Sequence, residues 1–284
     1  QSSKQTLGHR FHCEKPIEIS SAANYENSLK TGYVVANFNQ RKESIRQQVE
    51  EAGKKCGGKA VISEDLLDEV TALVEWPVAL AGKFEKEFLN VPAEALISSM
   101  KEHQKYFHVV DNNDELLPFF ITLSNIKSTN PDEVIRGNEK VIRPRLADAA
   151  FFFDTDKKTT LNEQREKLRT VVFQVELGTI YDKTVRIEKL AQFIGESINA
   201  NTPKAQRAAQ LCKSDLVSSM VYEFADLQGI AGYYYALNDN EDQEVALALK
   251  EQYLPRFSGD GLPTTQTGCI IALADRIDLS LLHI

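Results

Sequence analysis

The sequence predicts two compact units of different class, an α+β unit over residues 1–150 with helical decoration and an all-α unit over residues 151–284. Three observations lead there. The chain has 284 residues, more than one hydrophobic core usually organises. Its first half interleaves β-rich runs with helical patterns. From Thr159 onward strand signals nearly vanish and the apolar spacing turns helical, so the period changes near residues 145–160.

In chain order, "GHRFHCE" from Gly8 reads as a short strand and "GYVVANF" from Gly32 as another. A polar helix from Arg41 should stop at Gly57 and Gly58, as helices do where a left-handed residue follows. Ser63 is placed to cap the next helix, with Glu64 and Asp65 in a first turn whose dipole favours negative charge. Pro77 should end or kink that helix near Trp76. Pro92 suits the first turn of "PAEALISSMKEHQKYF". "KYFHVV" and "LLPFFITLSNI" then read as a hairpin around "DNNDE", whose side chains can bond the local backbone.

In the second half, Ile187, Leu190, Ala191, Ile194 and Ile198 recur at steps of three and four, one face of a helix. A helix opening at Thr202 and Pro203 turns Ala205, Ala208, Ala209, Cys212 and Leu216 inward. The loop "YLPRFSGDGLPTTQTG", Tyr253 to Gly268, precedes a last helix that carries Ile271, Ala274, Asp275 and Asp278 along one face.

Charged residues make up 26% and hydrophobic ones 42%, a soluble globular balance, and no apolar run approaches bilayer-spanning length. The start, "QSSKQTLGHRF", has no cationic segment followed by an apolar stretch, so no export signal is expected. Cys13, Cys56, Cys212 and Cys269 lie far apart without a CxxC pair, which suits reduced thiols in a cytoplasmic protein. A formal net charge of −8 argues against coating nucleic acid by bulk electrostatics. Any RNA contact must then be local.

Two constellations stand out. Asp215 falls on an inward helix face, as do Asp275 and Asp278, and a buried carboxylate needs a partner, a cap role or a cation. The ordinary reading is a hydrogen-bonded or Arg-paired acid that fixes helix register. Metal chemistry has little local support, since only His283 of the five histidines lies in this half. His9, His12 and Cys13 look briefly like a metal cluster, but strand alternation would send the two histidines to opposite faces. No GxGxxG, GxxxxGK[ST] or GxSxG motif is present.

The second constellation is "GNEKVIRPRLADAAFFFDTDKK", residues 137–158, preceded by Arg136. Arg136, Lys140, Arg143 and Arg145 could hold an RNA backbone, because guanidinium groups match phosphate bidentately. They could equally pair with Asp148, Asp154 and Asp156 at a domain joint. Three adjacent phenylalanines favour burial at such a joint.

Together with "GHRFH", "LLDEVTALVEWPVALAGKFEKEFLNVPAEAL", "HQKYF", "LGTIYDK", "SSMVYEFADLQGIAGYYYA" and "EQYLPRFSGDGLP", that block resembles the β subunit of the bacterial heterotetrameric glycyl-tRNA synthetase. The blocks run in family order from about residue 8 to residue 278. The resemblance implies an internal piece of a β subunit, without the family's C-terminal anticodon-binding domain. It implies an α2β2 enzyme, a cytoplasmic aminoacyl-tRNA synthetase that uses ATP to join glycine to tRNA(Gly) in protein biosynthesis.

By the same resemblance the active site lies on the partner α subunit, which uses ATP and Mg. This chain then carries no catalytic residue, metal or cofactor, and serves to bind and position tRNA. The RNA contacts it implies are Arg136, Lys140, Arg143 and Arg145, joined by Lys183 and Arg186.

The family's architecture places a domain similar to the B3/B4 module of phenylalanyl-tRNA synthetase before a helical HD-type domain. HD phosphohydrolases hold metal with a His, a His-Asp pair and a later Asp; the matching positions here are Lys183, Ser214 with Asp215, and Asp275. The acids persist and the imidazoles do not, which implies a degenerate pocket where Lys183 stands in for the metal's charge. The alternative reading is a metal-dependent HD-type phosphohydrolase. A third is a structural segment that holds the α subunits and never touches RNA. The sequence departs from the family pattern at Cys13, usually Gly, at His108, where Pro is common, and in the final "DLSLLHI".

Overall fold

A computed structural model of the protein describes residues 4–280, and His283 lies outside them. The chain divides into two compact units, Gln1–Asp148 and Ala149–Ile284.

In the first unit, β1 (Gln5–Thr6) pairs antiparallel with β2 (Ile17–Glu18). The expected strand "GHRFHCE" between them is a turn instead. The His9 carbonyl accepts from both His12 N and Cys13 N, so the backbone curls on itself rather than joining a ladder. After α1 (Tyr25–Thr31), "GYVVANF" is likewise a loop, with Tyr33 in the left-handed region at φ 62°. It leads into α2 (Phe38–Lys55), which starts before Arg41 because Asn37 caps it, its side chain accepting from Gln40 N. That helix stops where expected, at Gly57 with φ 80°, a conformation glycine adopts without steric penalty.

β3 (Lys59–Ala60) precedes α3 (Glu64–Leu73), whose N-cap position is Ser63. The helix ends at Leu73, short of Pro77, because Val74 is already extended. β4 (Val78–Lys83) went unforeseen, since its small residues show no alternation of burial. Gly82 there leaves room for a ring: a Cβ would clash with the Phe120 ring. α4 (Ala93–Ser98) continues into a π-turn, Ser99–His103, before β5 (Phe107–Val110) and β6 (Leu116–Ser124). The hairpin forms as predicted, with Asp111 Oδ1 accepting from Asn113 N and Glu115 N.

The four-stranded sheet runs β3-β5-β6-β4, antiparallel throughout. Ile45 and Val49 of α2 and Leu66, Leu67 and Val70 of α3 pack with Phe107, Val109 and Ile121 of the sheet.

α5 (Pro131–Asp156) spans the unit limit as one helix with Pro144 inside it. The second unit is helical but not all-α. After α6 (Leu161–Lys167), a two-stranded hairpin of β7 (Val172–Gln174) and β8 (Gly178–Thr179) intervenes, too short to leave a period in the sequence. Then follow α7 (Ile180–Ser197), α8 (Thr202–Leu211), α9 (Ser219–Glu223), α10 (Ile230–Asn238), α11 (Gln243–Glu251) and α12 (Gln266–Ser280). α8 packs on α7, α11 and α12 through the buried small side chains of Ala205, Ala208 and Ala209. Ile187 and Ala191 of α7 are buried as the spacing predicts, while Ile198 at its end is half exposed.

Candidate functional site

The cationic block lies on α5. Ile142, Leu146, Ala149 and Phe153 are buried at steps of four, three and four, which fixes the helix's inner strip. At 3.6 residues per turn, Arg136, Lys140 and Arg143 share one exposed flank of that strip, and Arg145 takes the other.

Arg136 pairs with Glu133, and Arg143 Nη2 lies 2.6 Å from Glu85 Oε1. Glu139, the acid within the block, accepts from Lys83 N at 3.0 Å. Among the described residues Lys140 and Arg145 have no ion-pair partner.

The pairing with Asp148, Asp154 and Asp156 does not occur. Asp154 pairs with Lys157 at 3.0 Å. Asp156 is buried at the start of α9, where its carboxylate accepts from Ser219 N at 2.9 Å, Met220 N at 2.8 Å and Tyr235 Oη at 2.9 Å. Nor do the three phenylalanines form one buried block. Phe153 stacks on Tyr235 with centroids 5.7 Å apart, whereas Phe151 is exposed. Consecutive helix positions point 100° apart, so three in a row cannot share an inner face.

The inward acids meet lysines. Lys183 Nζ on α7 lies 2.8 Å from Asp275 Oδ1 and 2.8 Å from Asp278 Oδ2, both on α12. Lys213 Nζ reaches Asp275 Oδ2 at 2.8 Å, and Arg186 Nε reaches Asp278 Oδ1 at 2.6 Å. All but Arg186 are buried. Two π-faces line the ammoniums: Lys213 Nζ sits 4.2 Å from the Tyr253 centroid and Lys183 Nζ 4.8 Å from that of Phe173. Burial alone would raise the Asp275 carboxyl, but Lys213 and Lys183 outweigh it and hold the group below its ordinary range. Burial acts the same way on Asp278, and Arg186 and Lys183 again win.

Of the four positions matched to the HD pattern, Lys183 and Asp275 are brought together. Ser214 is buried beside the turn with no hydrogen-bond partner for Oγ. Asp215 faces the start of α10, where Oδ2 accepts from Gly229 N at 2.5 Å and Gly232 N at 3.1 Å. Burial pushes Asp215 up to about 6, with those two amides pulling it back. Lys183 therefore offers no charge to solvent. Arg186 spends Nη1 on Leu177 O at 2.8 Å besides its fork on Asp278. The donors of Lys183 and Arg186, both among the expected RNA contacts, are thus engaged inside the helical unit.

Lys213 was missed from sequence. Its signal was position: it follows Cys212 at the end of the inward face of α8, where a lone ammonium demands an acid. A cavity of about 560 Å³ opens beside the network, lined by Gln252, Tyr253, Arg256, Asp275 and Arg276 among others. Asp275 is the member of the network that lines it. Among the described residues no three His, Cys, Asp or Glu side chains gather as metal ligands, and no helix is long and apolar enough to cross a membrane. His9 and His12, assigned to opposite strand faces, are instead brought together by their turn, ring centroids 4.7 Å apart.

The family profile described as glycyl-tRNA synthetase beta subunit matches residues 1–283. A glycine–tRNA ligase beta subunit of Marinobacter nauticus is 62% identical over 276 residues, 96% of this chain and 40% of that protein. Those of Hahella chejuensis and Chromohalobacter salexigens are 60% and 55% identical, each again covered over 40% of its length. The chain thus spans about 40% of the length of these curated relatives. With the profile covering nearly every residue, the chain belongs to the glycyl-tRNA synthetase beta subunit family.

Proposed function

We infer that this chain is a tRNA-binding and tRNA-positioning part of a cytoplasmic glycine–tRNA ligase, acting with an α subunit in an α2β2 assembly. Glycine activation with ATP and Mg, and transfer to tRNA(Gly), belong to the α subunit. This chain contributes by orientation, which lowers a barrier by holding reactants in place rather than by supplying reacting groups.

The observation that carries the RNA reading is α5. In a protein of net charge −8, it presents Lys140 and Arg145 without ion-pair partners among the described residues, and Arg136 and Arg143 tied only by exposed pairs. Exposed pairs contribute little, so a phosphate can displace the carboxylate. In the assembled enzyme, Lys140→Glu with Arg145→Glu should weaken tRNA(Gly) binding at least tenfold while circular dichroism stays native. Unchanged affinity with native folding would sink the reading and favour a segment that only holds the α subunits.

The antiparallel sheet flanked by helices supports a B3/B4-like first domain. The pairing of Lys183 with Asp275 supports an HD-type second domain that has lost its metal chemistry. Two ammonium groups occupy the carboxylate of Asp275, so this donor set does not fit a divalent cation. The alternative, a metal-dependent phosphohydrolase, would require stoichiometric metal in the purified protein and phosphodiester hydrolysis that a chelator abolishes.

A further inference from the structure

A row of aromatic rings in the first unit has no part in the α5 stripe. The His12 ring lies tilted against Tyr33 with centroids 4.9 Å apart, and Tyr33 meets Trp76 edge-on at 5.2 Å. Phe11, adjacent in sequence to His12, is 69% exposed; its ring centroid lies 6.2 Å from that of His9, and the Arg10 guanidinium 5.6 Å from it. Tyr33 is 39% exposed, unlike the ring of a core tyrosine.

The row is held from beneath. His9 Nε2 meets Asn125 O at 2.5 Å, and Asn125 Oδ1 accepts from Glu75 N at 2.8 Å and Trp76 N at 2.9 Å. Lys127 N donates to His12 Nε2 at 3.0 Å, which places that ring's proton on Nδ1. Val35 N donates to Glu75 O at 2.9 Å, closing the loop that carries Tyr33. Tyr33 itself is a bulky residue at φ 62°, a conformation uncommon outside Gly, Asn and Asp. A side chain held there against its backbone preference points to a use for the ring.

We propose that Phe11, His12, Tyr33 and Trp76 form a preorganised platform on which an unpaired RNA base stacks, with Arg10 and Lys127 meeting its phosphates. The inference rests on the tRNA-binding reading and adds a second, chemically distinct contact. Flat aromatic faces accept any base, and the neighbouring cations favour a nucleotide over an apolar peptide. Among the acids near the row, Glu75 lies against His9, its carboxylate 4.0 Å from Nε2.

Trp76 is the chain's single tryptophan, so the site carries its own reporter. Titrating this chain with a short single-stranded oligoribonucleotide should quench Trp76 emission, and the same strand annealed to its complement should not. Tyr33→Asn keeps a residue tolerant of positive φ and removes the ring. It and Phe11→Ala, an exposed truncation, should each weaken single-strand binding about tenfold. Tyr33→Phe should bind as the parent does. Stacking releases no counterions, so the slope of log affinity against log salt should be unchanged in these variants.

Absence of quenching, equal quenching by duplex, or natively folded Tyr33→Asn and Phe11→Ala variants that bind normally would overturn the platform. So would variants that lose affinity for the α subunit alone, which would make the surface a protein contact. If the α5 charge reversals weaken tRNA binding and the ring variants do not, the platform fails while the tRNA reading stands. If neither set matters, both fail.

Discussion

Lys183 is the residue on which the interior of the helical unit turns. Its ammonium bridges Asp275 and Asp278, two buried carboxylates that would otherwise repel each other across one turn of α12. Lys183→Met should lower unfolding stability by about 3 kcal/mol in urea titration, the low end for breaking a buried pair because Lys213 and Arg186 remain. Asp215 behaves in the opposite sense. Unfolded, its carboxyl titrates at the ordinary 3.8; folded, burial raises it to about 6. The folded state therefore holds the proton over that interval, and this group's contribution to stability grows as pH falls through 6 and levels off below about 3.8. Relative to Asp215→Asn, the parent should gain stability between pH 7 and pH 4 in denaturant midpoints. A difference that stays flat would show that Asp215 is not buried as described. The inward placement of all three acids was legible from helical spacing. Their partners were not, because Lys183, Lys213 and the acids come from different helices.

At the scale of elements, α5 shows how a pattern can be present and unread. Ile135, Ile142, Leu146, Ala149 and Phe153 recur at helical steps through the whole block. Pro144 and three consecutive phenylalanines hide that period, since a proline normally breaks a helix and an aromatic run normally marks burial. Burial of one strip wins over both local signals, as tertiary packing commonly overrides propensity. Leu146→Ala, at a fully buried position on that strip, should cost about 2–5 kcal/mol in thermal or urea unfolding. An unaffected transition would place the strip outside any core. The strands divide the same way: β5 and β6 announced themselves through β-branched and aromatic residues and an Asx-rich turn. β4 did not, because Gly82 makes room for the Phe120 ring and its small residues show no alternation of burial.

Over the whole molecule, a net charge of −8 opposes RNA at long range, so the proposed tRNA binding must rest on a few local cations. Log affinity of the parent for tRNA(Gly) should fall with log salt at a slope of about −2 to −4, as expected for a handful of phosphate contacts. The Lys140→Glu and Arg145→Glu pair should make that slope shallower by about one to two. A slope that does not change would remove α5 from the interface.

From the sequence alone followed the family, the mixed first unit and helical second, the hairpin of β5 and β6, and which acids turn inward. Those properties are local or periodic, and periodicity is written along the chain. The tertiary structure alone decided what each charge faces. It committed Lys183 and Arg186 to buried carboxylates, left Lys140 and Arg145 outside, and gathered His12, Tyr33 and Trp76 into one row. Contacts between segments far apart in sequence leave no period, and only folding brings their charges and rings within reach of one another.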